Sequence, residues 1–484
     1  MSESISLLGS DFKDNTGDQS SRELINVFLE PAENVENAQY IGIKTPGYSL
    51  YKDFSGASVR GMIDHNDSGF VVVDDGLYEI TNFDAGTAVL RGTLNSSSGR
   101  VSIAANTDEI GIADGTDFYS YKLSTTTFTD VTDVDLPSNP SIVIAMQDYF
   151  IVWDPTTNQY YHSDISDGTS WSALSTASAE THFDYLVSGV ALNTRLWLMC
   201  SYTSEIWYNA GNASGSTFSR MSGGAIPFGC AAKHSVATLG NEVIWLAQNS
   251  QGLVGVMSAS EGSQQILSTP AMLQDMRNYY AIDDAFAWTY QQEGHSFYII
   301  TFPSKTASSL GITWMFDVSM GIWSKLESED TNATVKPLYH RHTANCHMYL
   351  NGSHLIGDYR SGKVYKLSPN SYDENGNEIR RVIRSRHITK NKELFSLTNV
   401  ELDVNSGLGL SGSVQGSDPQ VMLRVSKDYG HTYGLEISTS AGKIGEYDKR
   451  VRYPSLGTSR VFTLEFSVTD PVDWKFLRLT ADVR

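Results

Sequence analysis

The sequence predicts an all-β protein, a β-propeller of six or seven blades followed by a C-terminal β-sandwich-like domain. Three observations lead there. The 484 residues are 40% apolar and only 19% charged, with 40 glycines and 25 tyrosines, a profile of many short strands and turns rather than of long charged helices. Residues 56–368 carry a loose internal repeat. Residues 393–484 then alternate apolar and polar positions in well-spaced runs.

In the N-terminal segment, residues 1–55, polar turn-rich sequence gives way to two short blocks. ELINVFLE (23–30) suits a strand or a short helix, and periodicity does not decide at that length. IGIKTPGY (41–48) carries a turn at Pro46-Gly47. A strand from residues 38–55 is the candidate to close the last blade of the propeller.

The repeat unit is an alternating strand, a polar turn, an apolar strand, a Gly/Asn/Asp turn and a third strand bearing an aromatic. Its clearest copies are Arg60–Ile80, Arg100–Leu123 and Ile142–Ile165. Tyr78, Tyr119, Tyr161, Trp207, Val254, Met315 and Tyr365 are corresponding points, at spacings of 41, 42, 46, 47, 61 and 50 residues. These bracket the ~40–50 residues of a four-stranded propeller blade. One such sheet cannot bury both of its faces alone, whereas ring closure packs each between two neighbours. The 61-residue interval holds the one helix expected, Pro270 to Tyr280, as an insertion between blades with proline in the first turn.

Residues 369–392 read as a basic connector. Asp373, Asn375, Asn377 and Glu378 place oxygen side chains in a short run, but counting from Asp373 puts Gly376 at position 4 and Arg384 at position 12, where a calcium loop needs glycine at 6 and glutamate at 12. A polar hairpin turn is expected instead. Beyond it, Asn399–Val404, Val421–Val425, Val461–Val468 and Lys475–Asp482 are the strands expected of the last domain. Between them Ser426-x-Asp428-x-Gly430-x-Thr432-Tyr433 forms an Asp-box, in which Asp428 accepts from backbone N–H groups of its own turn and Gly430 takes positive φ. Thr432 and Tyr433 are expected to restart the strand.

After the Asp-box come Gly442–Val451 (GKIGEYDKRV), then Val461-Phe462 and Ser467–Pro471 (SVTDP). Together these resemble the C-terminal region of the tail hub, or packaged-DNA stabilisation, proteins of short-tailed bacteriophages. The Asn-bearing block 23–30 and the Thr-Pro-Gly block 41–48 look like the N-terminal pattern of the same family, and Gly99–Ala104 and Ser204–Asn209 like its mid-chain blocks. The resemblance implies a structural virion protein assembled in the host bacterial cytoplasm. It would form a homo-hexameric nozzle ring below the portal and its head-to-tail adaptor ring, and meet a tail needle or plug and the tailspikes. Such a ring stabilises packaged DNA, closes its exit channel and conducts it during ejection, without sequence-specific binding.

The formal net charge of −20 argues against a duplex-binding protein, since affinity for nucleic acid comes mainly from Lys and Arg. Residues 378–484 hold 16 Lys+Arg against 13 Asp+Glu, a net of +3, which leaves −23 on residues 1–377. Cys200, Cys230 and Cys346 lie far apart with no CxxC pair, which predicts neither a disulfide framework nor a zinc knuckle, and suits a reducing compartment. The N-terminus lacks a basic n-region, so no secretory signal is expected, and no run approaches the ~18–20 apolar residues of a membrane span.

No catalytic arrangement or cofactor motif stands out, and an enzyme is not predicted. The rival reading is a glycan-binding or glycan-hydrolysing propeller. Hydrolysis of the sialidase kind needs an arginine cluster on the axial face, and residues 100–220 contain only Arg100, Arg195 and Arg220. His340, His342, Cys346 and His347 crowd one segment, but without a flanking CxxC or HExxH they are expected as solvated or interface histidines rather than zinc ligands. Arg380, Arg381, Arg384 and Arg386, with Lys390 and Lys392, make the one dense basic run. On a strand, Arg380, Arg384 and Arg386 share a face and Arg381 takes the other. The run reads as a charge-protected edge strand or as a subunit or adaptor contact with an acidic neighbour, for which Lys449, Arg450 and Arg452 are the second candidates.

Overall fold

The computed structural model describes residues 2–5, 12–13, 21–32, 40–180, 182–212, 214–306, 310–330, 337–391 and 393–484. Seven antiparallel sheets follow one another around a ring. Blade one comprises Val59–His65, Ser68–Val73, Gly76–Asn82 and Thr87–Thr93. Blade two spans Ser102–Ala105 to Thr127–Asp130, blade three Val143–Met146 to Asp167–Ser178 and blade four Leu186–Leu192 to Phe218–Ile226. Blade five is built on Glu242–Gln248, with Gly229–Cys230 and the short strand Ala237–Leu239 on its inner side. Blade six runs from Phe286–Gln292 to Ile322–Glu329. Blade seven takes Ala344–Leu350, Ser353–Asp358 and Lys363–Ser368 from one end of the repeat and Gly47–Asp53 from before it. The inner strand Ala344–Leu350 lies beside the inner strand Val59–His65, so the ring closes.

The aromatic repeat has a simple structural meaning. Tyr78, Tyr119, Tyr161, Trp207, Val254, Met315 and Tyr365 all fall on the third strand of their blades. Seven buried clusters fill the seven crevices between neighbouring blades. Phe70, Ile110 and Tyr119 pack between blades one and two, Trp288, Met315 and Ile356 between six and seven, and Val59, Val71 and Leu355 between seven and one. Each sheet thus buries both faces, which a lone sheet cannot do. The three cysteines serve as small apolar fillers of these crevices, free and buried, and burial pushes the thiols of Cys230 and Cys346 up to about 12.

The helix is shorter than its sequence suggested. It spans Pro270–Met276, opened by the Thr269 cap and Pro270 in its first turn, and it buries Met272 and Met276 in the crevice between blades five and six. Tyr279 leaves the helical path so that its hydroxyl can donate to Asp275 (2.7 Å) and accept from the Trp314 indole (3.1 Å).

The C-terminal sandwich recruits the start of the chain. One sheet runs Val27–Pro31, Tyr40–Lys44, Lys475–Val483, Phe395–Val404, Val451–Ser459; the facing sheet runs Ser21–Ile25, Arg381–Arg384, Val461–Val468, Gln420–Ser426, Ile437–Ser440. Among the described residues of the N-terminal segment, only Gly47–Asp53 closes the propeller. The supposed connector 369–392 contains a central strand, Arg381–Arg384, paired on both sides. The second sheet also continues into blade six through a parallel pairing of Ile25 with Lys325.

Block 23–30, which by sequence suits a strand or a short helix, is two strands broken at Asn26. Leu24, Val27 and Leu29 enter the sandwich core while Phe28 enters the blade six–seven crevice, so alternate side chains of one segment serve two cores. Asn26 sits at the joint with φ +54 and is 2% exposed. Its side-chain amide donates to the carbonyls of Glu327 (2.9 Å) and Arg380 (2.8 Å) and accepts from the Glu327 N–H (3.0 Å). Its backbone N–H donates to Lys325 (2.8 Å). Nearby, the polar turn at 373–377 brings Glu374 inside, where its carboxylate accepts from Ser328 (3.1 Å) and lies 4.0 Å from His342. Burial pushes the Glu374 carboxyl up to about 8 and holds the His342 imidazole down at about 4.

Replacing Asn26 with alanine leaves up to three backbone groups of blade six and the sandwich without partners. A loss of about 3 kcal/mol is expected, read as a lower denaturant midpoint for the whole chain. Glu374 adds a pH test. Between about pH 4.5 and 8 the folded chain holds a proton on Glu374 that the unfolded chain has lost, so this group makes stability fall as pH rises through that window. His342 contributes the opposite trend below about pH 6.5 in both chains. The stability of Glu374→Gln relative to the parent protein should therefore increase from about pH 5 to about pH 8 in denaturation curves. A difference independent of pH would show that Glu374 is ionised in the fold.

Candidate assembly surface

The acidity of the propeller originates in its turns. A strand that ends in a tight reversal leaves backbone N–H groups free, and a carboxylate placed just after the strand accepts from them. Asp74 accepts from the N–H groups of Ala57 and Ser58, Asp114 from Thr116 and Asp117, Asp154 from Thr156, and Asp184 from Tyr202 and Thr203. Asp358 accepts from Arg360. Asp108 and Asp148 do the same at the opposite end of the blades. The inner strands are different. From Val59–His65 through Ser102–Ala105, Val143–Met146, Leu186–Leu192, Ala237–Leu239, Phe286–Gln292 and Ala344–Leu350 they carry one carboxylate, Asp64. Negative charge therefore decorates the rims of the propeller, and its own axis is nearly free of it.

The basic run divides in two. Arg381 is fully buried, donating weakly to the carbonyls of Ile379 and Tyr372, and burial lowers its guanidinium to about 10. It is unavailable to a partner. Arg380 and Arg384 point the other way, as the alternation required, but onto this chain's own carboxylates. Arg384 binds Glu465 (2.6 Å) and Glu23, Glu23 also binds Lys325 of blade six (2.6 Å), and Arg424 (3.4 Å) and Arg380 (4.0 Å) approach Glu465. Tyr433 lies over Arg384 and Arg424 at 5.3 and 5.2 Å. The strand is central rather than an edge, and its charges tie the propeller to the sandwich. Arg386 and Lys390 are exposed, and Lys392 lies outside the described residues.

The second candidate group stays at the surface. Lys449, Arg450 and Arg452 are exposed. Arg450 and Arg452 share Glu401, the latter at 3.1 Å, and Arg478 pairs with Asp403 at 2.9 Å. Glu401, Asp403, Arg450, Arg452 and Arg478, with Asn399, line an open polar groove of about 510 Å³ on the outer face of the sandwich. Cations that are more than 40% exposed there, Arg450 and Arg452, are held in place yet remain accessible.

In the Asp-box, Ser426 donates to Asp428 (2.7 Å) and accepts from the N–H of Gly430 (2.8 Å), while the N–H of Thr432 donates to Asp428 (2.9 Å). The hydroxyls of Ser426 and Thr432 hold the Asp428 carboxyl well below the usual range. Gly430 has φ +82. The strand resumes at Ile437 rather than at Thr432, because Tyr433 folds back over the two arginines. His340 and His342 are buried rather than solvated, and His347 is half-buried. His340 and His342 are 8% and 7% exposed, and His347 stacks on Trp288 and shares a 3.0 Å hydrogen bond with His354. Among the described residues no His, Cys, Asp and Glu side chains group as a metal site, and no helix is long and apolar enough to cross a membrane.

One group escaped sequence reasoning. Arg100 is joined at the axial mouth by Arg341, since both guanidinium groups lie over the ring of Phe286, at 4.0 and 5.9 Å. The two arginines are too far apart in sequence for any local pattern to connect them, and a count limited to residues 100–220 passes over the second.

Residues 4–372 match the family described as bacteriophage P22 Gp10, beta-propeller, and residues 380–484 match bacteriophage P22 Gp10, beta-sandwich. No curated protein matches in sequence. Similar solved structures include the N-terminal domain of Nup159, at 11% identity and a TM-score of 0.42 over 71% of this chain and 98% of that one. The computationally designed Ika8 protein is similar at 12% identity and 0.38, over 72% and 99%. PorZ, a surface component of the type-IX secretion system of Porphyromonas gingivalis, is similar at 12% identity and 0.38, over 73% and 44%.

Replacing Arg384 with leucine strands Glu23 and Glu465, the latter 3% exposed, without their central partner. A cost of about 3 kcal/mol is expected, seen as a lower midpoint of thermal or denaturant unfolding. Arg386→Leu, at an exposed site, should change stability by about 0.5 kcal/mol or less.

Proposed function

The chain belongs to the bacteriophage P22 Gp10 family of tail hub proteins, which stabilise packaged DNA, and from that premise we propose that it is the subunit of a six-membered nozzle ring below the portal and its adaptor. The observation that carries this reading is that the propeller and the sandwich match two regions of one family, in order and over nearly the whole chain. The family is one of structural phage tail components, which supports a role in assembly rather than in catalysis.

Electrostatics support the finer reading. A ring of propellers with acidic rims presents negative charge to a duplex, repels its phosphates and offers no strong binding site, so DNA is free to slide once a plug is removed. Closing the ring calls for a heterologous contact between unlike faces. The exposed cations Arg386, Lys449, Arg450 and Arg452 on the sandwich are suited to an acidic rim of the next subunit or of the adaptor, with the needle and tailspikes seated elsewhere on the hub.

Particles assembled without this protein should package DNA and then lose it. Stable retention of DNA in such particles would rule out the stabilising role. In the complete system, Arg450→Glu combined with Arg452→Glu should weaken ring or adaptor assembly in native mass measurements while the isolated chain stays folded. Unchanged assembly would remove this surface from the contact.

A further inference from the structure

We propose that the axial mouth of the propeller is an anion site taking one small oxyanion, the chemistry shared by a phosphate and a carboxylate. The site is made by residues that lead into the inner strands of four blades. Arg100 precedes the inner strand of blade two, Lys233 and His234 that of blade five, and Arg341 that of blade seven, while Phe286 begins that of blade six. Their backbones are knitted together. The N–H of Ala287 donates to the His234 carbonyl (2.9 Å), the Ser188 hydroxyl to the Lys233 carbonyl (2.6 Å) and the Asn345 amide to the Val59 carbonyl (2.7 Å).

Charge at this mouth is unbalanced. The guanidinium groups of Arg100 and Arg341 lie over one ring, Phe286, at 4.0 and 5.9 Å, and that of Arg341 also lies 3.5 Å from the centre of the Tyr359 ring. Arg100 donates to the backbone and side-chain oxygens of Asn345, both neutral acceptors, and its Nε is buried with no partner. Among the described residues neither arginine, nor Lys233, forms a salt bridge. The Tyr359 hydroxyl hydrogen-bonds Arg341, and Asp284 is near enough to attract it, yet the Asp284 Oδ1 is itself buried without a hydrogen bond. Buried cations normally have carboxylate partners or lose their charge. Here burial with Arg341 nearby lowers Arg100 to about 10, which leaves it charged, and His234 is driven well below its ordinary range by burial, Arg100 and Lys233, which leaves it neutral. An oxyanion seated against the Arg100 and Arg341 guanidinium groups would gain acceptor contacts in the planar geometry that arginine favours, and Lys233, next to His234, adds positive charge at the same mouth. Arg341 is 8% exposed, and Arg100 keeps part of its surface exposed although its Nε is buried.

The test is calorimetric titration of the intact chain with inorganic phosphate and, separately, with acetate, against sodium chloride at matched ionic strength. Saturable binding of one phosphate or acetate per chain is expected, with competition between the two if carboxylates share the site. Arg100→Gln and Lys233→Gln should each weaken it by roughly tenfold or more, and Arg386→Gln, distant on the sandwich, should leave it unchanged. If Arg100→Gln fails to fold, Lys233→Gln and Arg341→Lys make the same test. No saturable binding of either anion, or binding that survives these substitutions, overturns the proposal.

Discussion

Asn26 is the residue on which the architecture turns. A strand that must give Leu24, Val27 and Leu29 to one core and Phe28 to another has to change direction within a single residue. It does so at a left-handed conformation that asparagine tolerates better than most side chains. The same side chain satisfies backbone groups of blade six and of Arg380, just before the strand Arg381–Arg384, so propeller and sandwich share one hydrogen-bond network across their joint. The Glu23, Arg384 and Glu465 ladder runs beside it. Two domains that are distinct in sequence are thereby mechanically one at this edge, with a sheet continuing from blade six into the sandwich.

Charge follows from the same economy. A ring of short strands needs many tight turns, and aspartate satisfies their backbone donors at little steric cost. Much of the excess of −23 is therefore a product of folding, distributed over the rims. Its effect on a passing duplex is a consequence of where turns must lie. The axial mouth departs from this pattern, because the residues there lead into inner strands and are chosen by packing around Phe286 rather than by turn chemistry.

Fold class was legible because both of its signals are local. A repeat of about 40–50 residues identifies blades, and period-two alternation identifies the sandwich strands. The Asp-box hydrogen bonds were legible for the same reason, being confined to residues 426–432. The basic run was half legible. Alternation separated Arg381 from Arg380 and Arg384, but neither its central position in a sheet nor its pairing with Glu23 and Glu465, 361 and 81 residues distant from Arg384, leaves any local trace. The histidines were misjudged similarly. A His-rich segment reads as polar until the fold buries His340 and His342 and stacks His347 on Trp288 of another blade.

Sequence alone, then, determined the all-β class, the blade repeat, the turn chemistry and the family pattern, since each depends on residues within a few positions of one another. Tertiary structure decided which strand closes the ring, that the chain's start belongs largely to its end, which arginines are spent internally and which stay exposed, and that Arg100 and Arg341 meet. Those outcomes depend on pairings across hundreds of residues, where the free energy of burial and of satisfied hydrogen bonds selects one partner among many sequences of similar local character.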